Sequence, residues 1–144
     1  MAKKKTKRFD ENLTEAEFKS RIISVLRQLS QRWAPKQEAI WRARVSRGVY
    51  KCELCWVVWP SSLPPLPWKK RKRKNINADH IIPVVWPDGF TTYDDWIKRC
   101  FVPSDGFQAI CRECHSKLTK AENAERRNNK IKLKENEKQT NKVL

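Results

Sequence analysis

The sequence predicts a small α+β domain in which two helices come first, short strands follow and a charged helix ends the chain. Apolar residues recur at helical spacing between residues 14 and 33, whereas β-branched and aromatic residues cluster around two cysteine pairs further along. The 144 residues, 39% of them hydrophobic, suit one domain with a modest core and appended arms.

The first predicted helix covers residues 14–33 and begins with a capping box formed by Thr14 and Glu17. A second helix is expected to begin at Pro35 and to end at Gly48, since proline is tolerated in a first turn and glycine favours a helix end. We therefore divide this region into a basic N-terminal arm over residues 1–13 and a helical part over residues 14–48.

The middle of the chain predicts short strands and turns. Residues 49–59 suggest a strand, a tight turn and a second strand, and residues 60–67, with four of the eight prolines, suggest an extended loop without strand pairing. This loop leads into the basic block 69–74, so residues 60–75 are interpreted as an exposed basic insertion. Residues 76–86 predict a strand that Pro83 bends or ends. The folded core is assigned to residues 49–125 and a charged tail to residues 126–144.

Two further helices are expected. Thr92 and Asp95 have capping-box spacing, and one face of the helix that follows is predicted to be core; its residues are Tyr93, Trp96, Ile97, Cys100 and Phe101. Cys100 is interpreted there as a small buried hydrophobic residue. A short strand then leads from Phe107 towards the last helix, for which Thr119 and Glu122 supply the predicted cap.

The charge is distributed very unevenly. The formal net charge of +16 comes from residues 1–8, from the block 69–74 and from the segment after residue 115, while the remaining residues are neutral in sum. This pattern indicates a neutral body with extensions that bind a polyanion, most simply nucleic acid; the alternative is that the lysine-rich ends only aid solubility. No apolar run approaches the ~20 residues of a membrane span, and the basic start lacks the apolar stretch of a secretory signal. We expect a cytoplasmic protein without a membrane partner.

The cysteines form two pairs with metal-ligand spacing. Cys52 and Cys55 form one C-x-x-C pair, Cys111 and Cys114 the other, and in a reducing compartment four thiolates favour a structural zinc over disulfides. Four buried thiols or a redox pair are the alternatives. A four-cysteine site is closed to substrate, so the zinc would staple the fold.

The only two histidines of the chain lie beside other polar ligands. His80 follows Asp79 in "INADHIIPVV", and His115 follows Cys114 in "CRECHSK". If the zinc staple brings these segments together, a carboxylate and an imidazole become available for a second, divalent cation, and the other histidine is free to act as a general base. A hydrogen-bonded structural histidine is the alternative for each.

The segments "CELC", "ADHIIPV" and "FQAICRECHSKLT", in this order, resemble the HNH endonucleases, the zinc-stapled ββα-metal (His-Me finger) nucleases common in bacteriophages. The resemblance covers about residues 44–125. It implies that His80 is the general base, that Asp79 and His115 bind a catalytic Mg²⁺ or other divalent ion, and that the substrate is double-stranded DNA. It also implies phage DNA-packaging or homing systems as partners. The family's middle asparagine falls at Gly106, and its usual "CHxxKT" reads "CHSKLT" here, with Leu118 at the lysine position.

The resulting hypothesis is a metal-dependent endonuclease that nicks or cuts duplex DNA and leaves a 5′ phosphate and a 3′ hydroxyl. DNA contacts are assigned to the basic insertion and the last helix; the residues are Lys69, Lys70, Arg71, Lys72, Arg73, Lys74 and Lys117. Two alternatives stay open: a catalytically inactive, zinc-stapled nucleic-acid-binding protein, and an interaction protein that docks through its proline-rich loop.

Overall fold

The computed structural model describes residues 13–140, with side chains as far as residue 136, and the chain divides into two compact units on either side of the Trp33–Ala34 junction. In the first unit, helix α1 spans Glu15–Gln31. The predicted capping box is confirmed: the Thr14 hydroxyl accepts from the Glu17 N–H, and the Glu17 carboxylate accepts from the Thr14 N–H at 3.0 Å. The predicted basic arm lies, apart from Leu13, outside the described residues.

The second unit begins with helix α2 (Ala34–Arg42) and an antiparallel three-stranded sheet of β1 (Arg44–Ser46), β2 (Val49–Lys51) and β3 (Val58–Pro60). The prediction that the second helix continues to Gly48 is wrong, because residues 44–46 pair with β2 instead. Gly48 forms the turn between these two strands with a φ of 74°, which glycine adopts without steric cost.

A short hairpin and a second strand pair follow. Strands β4 (Ser62–Leu63) and β5 (Arg73–Lys74) pair antiparallel, and Pro60 of β3 pairs with Val49. The prediction of an unpaired loop over residues 60–67 is therefore wrong at residue 60 and at residues 62–63. Strand β6 (Ile76–His80) pairs antiparallel with β7 (Phe107–Cys111), with a regular register from Ile76 opposite Cys111 to His80 opposite Phe107. The strand predicted over residues 76–86 therefore covers only its first five residues and ends at His80, three residues before Pro83.

Helix α3 (Tyr93–Cys100) lies between β6 and β7 in the chain, and helix α4 (Arg112–Thr140) follows β7 directly. Thr92 caps α3 by accepting the Asp95 N–H, as the spacing predicted. The predicted start of the last helix at Thr119 is wrong: α4 begins at Arg112, and Thr119 lies inside it. The predicted α+β class is confirmed, and two antiparallel strands are followed immediately by a helix.

The core of the second unit forms where α2 packs against β6 and β7. Its buried residues come from α2 and the residue that follows it, from β6 and β7, and from both cysteine pairs; they are Ile40, Ala43, Cys52, Ile76, Ala109, Ile110, Cys111 and Cys114. On α3, Trp96 and Cys100 are buried as predicted, whereas Ile97 is 37% exposed and does not belong to the core. Among the described residues, no helix is both long and apolar enough to cross a membrane.

Candidate functional site

The first cysteine pair lies in the tight turn between β2 and β3. The Cys52 N–H donates to the Val57 carbonyl at 3.0 Å, and the Trp56 N–H donates to the Cys52 carbonyl at 2.9 Å. Trp56 has a positive φ of 63°, which lets the chain reverse sharply after Cys55. The Cys55 N–H points at the Cys52 sulfur, 3.5 Å away. Such a turn presents both sulfurs to one point.

The second pair comes from the junction of β7 and α4. Cys111 is the last residue of β7, and Cys114 lies in the first turn of α4. The Cys111 N–H donates to the Cys52 sulfur at 3.3 Å, so the two pairs meet directly. All four sulfurs lie within 4.8 Å of one another, and those of Cys55 and Cys111 are 3.9 Å apart.

These distances fit a tetrahedral zinc. Four sulfurs about 2.3 Å from a zinc ion lie about 3.8 Å from each other, close to the separation between Cys55 and Cys111. None of the described cysteines forms a disulfide. The four predicted ligands therefore lie together and can hold a metal ion such as zinc.

The surrounding backbone also affects the protonation of the cluster. Burial of the Cys52 thiol opposes ionisation, but the N–H groups of Cys55 and Cys111 stabilise the thiolate and lower its pKa to about 7. Burial raises the pKa of Cys114. Metal binding must displace the protons of such thiols, so we expect metal affinity to rise with pH.

An ionic bridge holds the first cysteine turn against β7. The Glu53 carboxylate accepts from the Arg42 Nε at 3.0 Å and from the Ala109 N–H of β7. Arg42 also donates to the Phe107 carbonyl at 2.8 Å. Helix α2, the cysteine turn and β7 are thereby fixed to one another, and the sequence pattern gave no indication of this bridge.

His80 is the last residue of β6 and is half-buried. Its Nε2 lies 3.0 Å from the Cys100 carbonyl, and its ring lies 4.6 Å from the Phe107 ring. A carbonyl only accepts hydrogen bonds, so Nε2 carries the proton and Nδ1 of the neutral ring has a free lone pair. Burial lowers the pKa of His80, and the bond to the carbonyl opposes only part of that shift. The ring is thus held neutral, in one tautomer, as a general base requires.

Asp79 and His115 approach each other across the β6–α4 interface. Their nearest atoms, Oδ1 of Asp79 and Nε2 of His115, are 3.8 Å apart, and both side chains keep access to solvent. This separation is too long for a hydrogen bond. Two ligands each about 2.1 Å from one ion lie between about 3.0 and 4.2 Å apart, so the pair fits a shared divalent cation.

Asp79 and His80 are adjacent in β6, and their side chains point to opposite faces of the strand. The register is regular to its last pair, so adjacent side chains leave opposite faces: Asp79 meets α4, and His80 meets the end of α3. Because β6 ends at His80, a group that lies beyond that end of the strand can contact both faces.

Lys36 of α2 lies beside the candidate site, and the sequence motifs did not point to it. Its ammonium group is half-buried and lies 5.6 Å from the centre of the Phe107 ring, the ring that also packs on His80. Burial lowers the pKa of Lys36, and the charge of Lys36 in turn lowers the pKa of His80. A signal was present: Lys36 lies three and four residues before the buried Ala39 and Ile40, on the inward face of α2.

The predicted DNA-contacting residues are mostly exposed. Lys69, Lys70, Arg71, Lys72 and Lys74 are all exposed, whereas Arg73 is half-buried and donates to the Pro64 carbonyl at 2.9 Å. Lys117 is exposed and pairs with Glu113 one turn earlier, at 2.8 Å. The structure thus presents five of these cations to solvent on or beside one hairpin.

Gly106 lies in the segment that leads into β7, and both of its backbone polar groups are hydrogen-bonded. Its carbonyl accepts from the Ile81 N–H at 3.1 Å, and its N–H donates to the Pro103 carbonyl at 3.0 Å. Backbone hydrogen bonds therefore tie this segment to the residue that follows β6.

Comparison of the chain with protein-family models, with curated proteins and with solved structures finds no match.

Proposed function

We propose that this protein is a metal-dependent endonuclease of the HNH type that hydrolyses phosphodiester bonds in double-stranded DNA. The observation that carries the proposal is the meeting of Asp79 and His115, 3.8 Å apart, beside a histidine whose Nδ1 is free. A protein that only binds DNA needs neither arrangement. The four-cysteine cluster supports the proposal, since it closes the fold without taking either histidine as a ligand.

Each residue has a distinct role in the proposed reaction. Asp79 and His115 would hold a divalent cation, which when bound offsets the negative charge that builds on the phosphoryl oxygens and on the departing 3′ oxygen. His80 takes a proton from a water molecule through Nδ1, while the Cys100 carbonyl keeps Nε2–H in place. The water oxygen bonds to phosphorus, the bond to the 3′ oxygen breaks, and that oxygen takes a proton from solvent, which leaves a 5′ phosphate and a 3′ hydroxyl.

We also include Lys36, which lies outside the sequence motifs, in the proposed site. Its half-buried ammonium group lies 5.6 Å from the centre of the Phe107 ring, which also packs against His80. We assign it to binding the phosphate at the end of β6. A fixed cation costs little reorganisation when charge develops in the transition state.

An inactive nucleic-acid-binding protein is the second candidate, and the observation in its favour is Gly106 at the position of the family's asparagine. The backbone hydrogen bonds at Gly106 supply a tie that does not need an asparagine side chain. This weakens the main argument for inactivity.

Supercoiled plasmid separates the two candidates. The purified protein is incubated with plasmid in the presence of Mg²⁺, of Mn²⁺ or without any added divalent ion, and DNA binding is measured in parallel by fluorescence anisotropy. Nicking that requires a divalent ion supports the nuclease. Tight binding without cleavage in any divalent metal supports the binding protein and rejects the nuclease.

A further inference from the structure

A tryptophan-tipped loop, residues 64–72, projects between β4 and β5. Its tip is a β-turn in which the Lys69 N–H donates to the Leu66 carbonyl at 2.8 Å, with Pro67 and Trp68 at the two central positions. The Trp68 side chain is 76% exposed, more than any other large hydrophobic side chain among the described residues. An indole this exposed contributes almost nothing to the core.

The loop is stiff for its length. Three of its residues are prolines, whose rings fix φ, and Arg73 closes its base by donating to the Pro64 carbonyl at 2.9 Å. The buried Asn75 then ties the hairpin to the body: its N–H donates to the Ser61 carbonyl, and its side chain accepts from the Arg112 N–H at 3.4 Å. Trp68 is therefore held out by a supported turn, and little conformational entropy is lost when it contacts a partner.

The basic residues beside the Trp68 indole indicate what kind of partner the loop binds. Residues 69–72 are all basic and exposed, and residues 60–74 include no acidic residue. An aromatic face beside a run of cations is the combination that binds nucleic acid strands, in which bases stack on the ring and phosphates meet the cations. A paired duplex hides its base faces, whereas an unpaired base offers one.

We propose that the Trp68 loop recognises an unpaired base, with Trp68 stacking on it and Lys69–Lys72 contacting the flanking phosphates. The inference rests on the proposed function in taking DNA as the polyanion, and it names a substrate class: duplex DNA that contains unpaired or displaced bases. Fully paired duplex is then bound mainly through its phosphates, by the same cations.

The test measures binding in buffer without added divalent metal, so that it does not depend on cleavage and leaves the four-cysteine site loaded. A fluorescein-labelled 30-base-pair duplex is compared with the same duplex carrying a central two-nucleotide bubble. Wild-type protein is expected to bind the bubble about ten-fold more tightly, the effect of one or two base–aromatic stacks. Trp68→Ala should remove this preference, and Trp68→Phe should keep part of it. Trp41→Ala, which removes another exposed tryptophan, is the matched control and should keep all of it.

The cations are tested separately. A Lys69→Gln/Lys70→Gln/Lys72→Gln variant should weaken binding to both DNAs equally and flatten the salt dependence, without removing the bubble preference. No preference in the wild type, or a preference that survives Trp68→Ala, overturns the proposal. Trp68-dependent binding to phosphatidylserine vesicles without a bubble preference would assign the loop to a membrane surface and also overturn it. A protein that prefers the bubble but never cleaves DNA would reject the proposed nuclease activity and leave the proposal for Trp68 standing.

Discussion

Gly106 gives the sharpest structural prediction, because the family that the sequence resembles carries asparagine there. A Cβ atom added at Gly106 would lie 2.5 Å from Cγ2 and 2.7 Å from Cβ of Val102. Ordinary contacts between carbon atoms begin near 3.5 Å. Restoring the asparagine should therefore destabilise the protein.

The size of the effect follows from which atoms collide. Rotation of the Val102 side chain can move Cγ2 but not Cβ, so the backbone must shift. Overpacking of this kind costs about 1–3 kcal/mol, and we expect about 2 kcal/mol for both Gly106→Ala and Gly106→Asn. At about 4 °C per kcal/mol for a domain of this size, the melting temperature should fall by about 8 °C.

The assay is thermal unfolding of Gly106→Ala, Gly106→Asn and the double variant Val102→Ala/Gly106→Ala, followed by circular dichroism. Val102→Ala removes the closest contact but leaves its Cβ, so the double variant should recover about 1 kcal/mol relative to additivity. A Gly106→Asn variant that melts at or above the wild-type temperature would refute the reasoning, and so would strict additivity in the double variant.

Three further predictions address the site. Cys111→Ser should lower the zinc content, measured by mass spectrometry, from one ion per chain towards zero and unfold the second unit; retained zinc and structure would contradict the staple. His115→Ala should keep zinc content and melting temperature but lose plasmid nicking, and equal melting losses in both variants would refute this division of roles. Lys36→Met, with the neighbouring Gln37→Met as control, should slow nicking about 10–100-fold without loss of fold, whereas similar rates in both would exclude Lys36 from the site.

Local signals in the sequence predicted a large part of the fold. Capping-box spacing located the starts of α1 and α3, since Thr14 and Thr92 bond the N–H groups three residues later in the structure. The paired spacing of the cysteines predicted their cluster, because C-x-x-C turns aim two sulfurs at one point. The helix caps and each C-x-x-C turn depend only on residues close together in the chain, whereas the meeting of the two pairs was inferred from the four ligands that a structural zinc requires.

Some strand pairings and one tertiary contact were missed. Residues 44–46 form a strand because they pair with β2 across the turn at Gly48, and Ser62–Leu63 pairs with residues ten to twelve positions later. Lys36 reaches the candidate site because α2 packs on β6 and β7. No local pattern reports such contacts, although a lysine on the inward face of α2 was a usable warning.

The candidate site, too, could be predicted from the sequence only in part. Asp79, His80 and His115 were named from their neighbours in the sequence, and the approach of Asp79 to His115 follows from the register of β6 and β7 and the direct start of α4. The Cys100 carbonyl that orients His80 was not predictable, because it depends on where α3 ends.

The most direct test of the central claim is the nicking rate of His80→Ala against wild type, with Mg²⁺ and enzyme in excess over plasmid. Loss of a general base should slow the chemical step about 10²–10⁴-fold, while DNA affinity, zinc content and melting temperature stay close to the wild type. A His80→Ala variant that is folded, binds DNA and nicks at the wild-type rate would contradict the account.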